Sequence, residues 1–136
     1  MRKIMLGLLL GAAALAAAPS SAQEVSESVV TVYRAAPGHQ EELLRWIARQ
    51  DEFARTAGVP ASQLYVHQNG ASWDFLVIAP QTTDAQDEAI AAARRAANAP
   101  VGIRIGMELR QHIGWHEDTV TAGPTTAAEW LRRLER

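Results

Sequence analysis

The chain has 136 residues, with 13 lysine and arginine against 15 aspartate and glutamate side chains, and no cysteine. That excludes disulfides, thiolate metal sites, thiol nucleophiles and an acylated-cysteine anchor. No basic cluster of the kind that tracks phosphates is present, so nucleic acid is not an expected partner.

The first residues carry export features. Arg2 and Lys3 form a short positive region, Ile4 to Ala18 is an uncharged run rich in leucine and alanine, and Ser20-Ser21-Ala22 supplies the small residues a signal peptidase reads. The apolar run is shorter than the roughly 20 residues a bilayer span needs. We therefore expect a cleaved signal peptide over 1–22, a single mature domain over 23–136, a periplasmic or secreted location, and no membrane association after cleavage. Without Arg2 and Lys3 the remainder carries 11 arginines against 15 acidic side chains and no lysine, for a net charge of −4. Schiff-base chemistry is thereby excluded. Serine-nucleophile, phosphate-loop and dinucleotide motifs are also absent.

Ser28 to Arg34 reads SVVTVYR, a β-branched and aromatic run that predicts a strand. Ala36-Pro37-Gly38 breaks it. From His39 to Ala57, Leu43, Trp46, Ile47, Phe53 and Ala54 recur at helical spacing, with Glu41, Arg45, Arg49, Glu52 and Arg55 on the other side. Glu41 with Arg45 and Asp51 with Arg55 are i,i+4 pairs, and Gly58 stands where a left-handed residue ends a helix. Gln63–Gln68 is a second strand, Asn69-Gly70 the dipeptide of a type I′ turn, and Ser72–Ala79 a third strand that should pair antiparallel with the second.

Thr83 with Gln86 fits a capping box that opens an alanine-rich helix to about Asn98. Residues 101–110 alternate apolar and polar, which is strand periodicity. A single strand from there to residue 121 would run about 20 residues, however, where strands usually run 3 to 10. A short helix over 103–111 followed by a strand over 112–121 resolves the conflict. Thr126 with Glu129 is a further capping box, and Ala127, Trp130, Leu131 and Leu134 form a stripe that predicts a C-terminal helix docked on something apolar.

The element order, the Ala36-Pro37-Gly38-His39 opening of the first helix and the Asn69-Gly70 turn into Trp73-Asp74-Phe75-Leu76-Val77 resemble the dimeric α+β barrel superfamily. Its ferredoxin-like members include antibiotic-biosynthesis monooxygenase, NIPSNAP and EthD-like domains. The resemblance covers residues 28–121 and implies an α+β fold, a β-α-β-β-α-β antiparallel sheet with helices on one face, two such sheets facing each other across a dimer axis. Some members bind or degrade haem and others are cofactor-free monooxygenases or isomerases, but no local motif here carries over a catalytic residue. The third strand supports the dimer on its own account. Trp73, Phe75 and Val77 point one way and Leu76 and Ile78 the other, so both faces are apolar and one needs a second layer.

Three groups of residues carry the candidate chemistry. Tyr33, His67, Trp73 and His116 are polar or aromatic residues on apolar strands, and they would border a pocket for a small apolar or aromatic ligand that the domain binds or transforms. His112 and His116, four apart beside Glu117 and Asp118, would share a metal with Glu117 as a third ligand, or one of them would hold haem. Asp74 among apolar neighbours needs a donor such as Arg34. Each has a plainer alternative: in turn, an amphipathic face half-covered by a partner, exposed strand-end or interfacial polar residues, and a structural ion pair. A non-catalytic homodimeric interaction module is the rival reading, the cofactor is undetermined, and His39 reads as a surface residue.

Overall fold

The computed structural model describes residues 25–136, so the predicted signal peptide lies outside the described residues. Its elements are β1 (Glu27–Ala35), α1 (Gln40–Thr56), β2 (Gln63–Val66), β3 (Phe75–Pro80), α2 (Asp84–Ala96), α3 (Ile103–Leu109), β4 (Ile113–Ala122) and α4 (Ala127–Leu134). The four strands form one antiparallel sheet in the order β2-β3-β1-β4. No helix among the described residues is long and apolar enough to cross a membrane.

The pairing fixes which side chains share a face. Tyr33 lies opposite Phe75 and Thr31 opposite Val77. These four are buried, and Tyr33, Phe75 and Val77 pack with Ala35, Leu43, Trp46, Ile47 and Leu109 in the core between sheet and helices. Strand alternation sends the intervening residues to the other face. There Val30 lies opposite Ile78 and Val32 opposite Leu76, all only half-buried.

α1 buries Leu43, Trp46, Ile47 and Phe53, the stripe its spacing predicts. It ends at Thr56, and just beyond it Gly58 has a φ of +76°, which glycine adopts without strain. The Thr83–Gln86 capping box opens α2. Gly102, at φ +60°, turns the chain out of extended geometry, which is why the alternating run from 101 starts α3 instead of a long strand.

Arg94 of α2 is 4% exposed, an unusual place for a guanidinium. It donates to the Pro100 carbonyl at 2.8 Å and lies 4.9 Å over the Phe53 ring, joining α2 to α1 and to the loop before α3. Burial holds its pKa below the usual arginine value.

The β2–β3 connection departs from the sequence expectation. Gly70 has φ +110° but Asn69 is not at positive φ, as the central residue of a type I′ turn would be, and the strands end at Val66 and resume only at Phe75. Asp74 draws the chain aside: its Oδ2 accepts the Ala35 N–H at 2.8 Å, so its partner is backbone and not the Arg34 side chain. Arg34 donates instead to the Ser72 carbonyl.

Removing the buried guanidinium tests this arrangement. In urea unfolding, Arg94→Ala should lower stability by about 1–3 kcal/mol, the cost of leaving a part-buried carbonyl unpaired and removing the buried stem. Arg95→Ala, which breaks only an exposed pair with Glu88, should stay within about 0.5 kcal/mol of the parent.

Candidate functional site

Two sequence-selected residues meet on the helix side of the sheet. Tyr33 and His116 are paired across β1 and β4, and their rings stack with centroids 6.1 Å apart. Two residues on, Asp118 Oδ2 lies 3.6 Å from His116 Nε2. Burial pushes the Tyr33 hydroxyl up to about 12, the hydrogen bond with Thr31 opposes this, and the Asp118 charge adds to it. The phenol is therefore kept protonated beside the imidazole ring.

The other two expected pocket residues lie elsewhere. His67 follows β2, its N–H donating to the Asp74 carbonyl at 2.9 Å, and its ring is 4.8 Å from that of Trp73. Its register continues the parity of Tyr65, on the face away from the helices. Tyr33 and His116 share the helix face, so the structure does not arrange Tyr33, His67, Trp73 and His116 around one pocket.

The expected metal set is also separated. The β1–β4 register shifts between Arg34 and Ala35, where Trp115 and Ile113 are the partners and Gly114 is bypassed. This bulge cancels the alternation that would have placed His112 and His116 on one face. His112 has its ring 6.3 Å from that of His39, while Glu117, opposite Val32, lies on the face away from His116. Among the described residues no three histidine, aspartate or glutamate side chains are placed to hold a metal ion.

What the opposite face does carry is a cleft of about 400 Å³. Val30, Ile78 and Tyr65 line it with Ser28, Gln63 and Thr121, and the 60–61 and 123–124 segments close its ends. All six side chains belong to the face that no helix among the described residues covers. A volume of this size, largely apolar with a few hydroxyl and amide groups, suits a small ligand. These residues were missed singly because none is chemically unusual. The signal was joint: the same alternation that put Leu76 and Ile78 on one face of β3 puts Val30 and Val32 beside them.

The strand order and the pairing of the first and third strands at the sheet centre decide the architecture. The chain has a ferredoxin-like fold. No protein-family model matches it, and no curated protein matches it in sequence. Among solved structures this ferredoxin-like domain is similar to a NIPSNAP-family protein of unknown function from Agrobacterium tumefaciens, at TM-score 0.52 and 13% identity, covering 77% of this chain and 94% of that one. It is also similar to PA3566 from Pseudomonas aeruginosa, at TM-score 0.50 and 16% identity over 74% of this chain and 96% of that one. Rv0793 from Mycobacterium tuberculosis gives TM-score 0.50 and 16% identity, over 74% and 97%. At such identities the likeness establishes the fold and leaves the chemistry to the residues.

The raised Tyr33 ionisation has a direct readout. Ultraviolet titration should contain a tyrosine component centred near pH 12 that disappears in Tyr33→Phe. Since the folded pKa exceeds the ordinary tyrosine value of 10.0, the folded protein holds this proton longer than the unfolded chain. The contribution of Tyr33 to stability is thus complete below about pH 10 and falls as the pH rises towards 12. A Tyr33 ionisation near pH 10 would contradict the buried donor.

Proposed function

We propose that this ferredoxin-like domain is exported and works as a homodimer that binds a small apolar or aromatic ligand between its subunits. One observation carries the reading: Val30, Val32, Leu76 and Ile78 form an apolar field over the two central strands, no helix among the described residues covers it, and a cleft of about 400 Å³ opens at its Val30–Ile78 end. Soluble proteins rarely leave a contiguous apolar sheet face in water. A second copy packed face to face would supply the missing layer about 10 Å away and convert the open cleft into an enclosed cavity.

The lining favours a ligand with a largely apolar body and a few polar groups. Val30, Ile78 and the Tyr65 ring would contact the body, and Ser28, Gln63 and Thr121 offer hydrogen bonds at its edge. The Arg2-Lys3 start, the apolar run and Ser20-Ser21-Ala22 support export.

Static light scattering of the mature chain at low micromolar concentration, with titration of anilinonaphthalenesulfonate as an apolar aromatic probe, tests both halves. The expected result is twice the chain mass and saturable fluorescence enhancement. Ile78→Arg should give monomers that bind the probe at least about tenfold more weakly, with circular dichroism unchanged. A monomeric parent contradicts the assembly. A dimer without probe binding contradicts the ligand and leaves a pure interaction module.

A further inference from the structure

α4 has the form of a helix meant for burial. Its capping box is complete, with Thr126 accepting the Glu129 N–H at 3.1 Å and Glu129 accepting the Thr126 N–H at 3.0 Å. Its apolar side carries Trp130, Leu131 and Leu134 at helical neighbour spacing. These are 43%, 59% and 72% exposed, and no residue of α4 is buried.

The cleft lies beside the root of this helix. β4 ends at Ala122, residues 123–126 connect it to α4, and Gly123 and Pro124 line the cleft. No α4 residue lines it. To seat its stripe there within one chain, the helix would have to fold straight back over its own point of attachment. Four residues span at most about 14 Å, which leaves little room for that reversal. In a pair packed by the open faces, the cleft of the opposite chain continues the same surface, and a two-fold axis repeats the contact for the second helix.

We propose that α4 of each subunit closes the cleft of the other, so that the partner's Trp130 forms a wall of the ligand cavity. This rests on the face-to-face dimer proposed above. An indole wall opposite Tyr65 gives the cavity two aromatic sides, which selects planar aromatic ligands over flexible aliphatic ones. The site is then incomplete in any single chain, and dimerisation and ligand binding are coupled.

The absence of native cysteine makes thiol cross-linking clean. Ser28→Cys chains carrying an affinity tag are mixed with untagged Leu134→Cys chains, allowed to exchange subunits, and treated with a short bismaleimide. A double variant carrying both cysteines is treated alone, and every sample is checked by light scattering. The expected product is a covalent dimer of one tagged and one untagged chain. In addition, Trp130→Ala should keep the dimer mass while weakening probe binding about tenfold. Cross-linking confined to single chains of the double variant, or a dimer with no cross-link between chains and full probe affinity in Trp130→Ala, overturns the inference while the dimer stands. Monomeric samples overturn the dimer itself.

Discussion

The two central strands are apolar on both faces, and most of the structure follows from that. On β1, Thr31, Tyr33 and Ala35 are buried under the helices, while Val30 and Val32 take the opposite side with Leu76 and Ile78 of β3. A sheet of this kind needs a layer on each face, because apolar area left in water forgoes about 25 cal/mol per Å². α1 supplies one layer through Leu43, Trp46 and Ile47. No element among the described residues covers the other, and α4 buries none of its own residues.

The helix side and the open side also divide the chemistry. At the helix side Tyr33, His116 and Asp118 adjoin the core, and Trp46 Nε1 and Arg49 both donate to Glu108 and fasten α3 against α1. The cleft on the open side is lined by hydroxyl and amide groups beside apolar side chains, with Glu117 and His67 elsewhere on that face. A ligand held there would be recognised by shape and a few neutral hydrogen bonds, a reading that asks nothing of a metal or a strong base.

Most of the element order was legible because periodicity and punctuation agreed. The α1 stripe, Gly58, both capping boxes and the Glu41–Arg45 pair all stand where local rules place them. Local rules failed where a side chain took a distant partner. Asp51 is four residues before Arg55, yet its carboxylate accepts from the Ser62 N–H and hydroxyl. Asp74 binds the Ala35 N–H 39 residues away, and the expected tight hairpin opens into a loop. The bulge at Gly114 separated His112 from His116, and nothing in the spacing of the two histidines signals it. The cleft was illegible for another reason: it belongs to four strands at once, and each contributes only ordinary residues.

Isotope-filtered nuclear Overhauser spectroscopy shows whether the open sheet face is an interface between copies. In a mixture of methyl-labelled and unlabelled mature chains, only contacts between subunits survive the filter. The account predicts such signals from the methyl groups of Val30, Val32, Leu76 and Ile78 to protons of the other chain, and none from Leu43 or Ile47. Filtered signals confined to helix residues, or an empty spectrum at concentrations where the protein is dimeric, would contradict it.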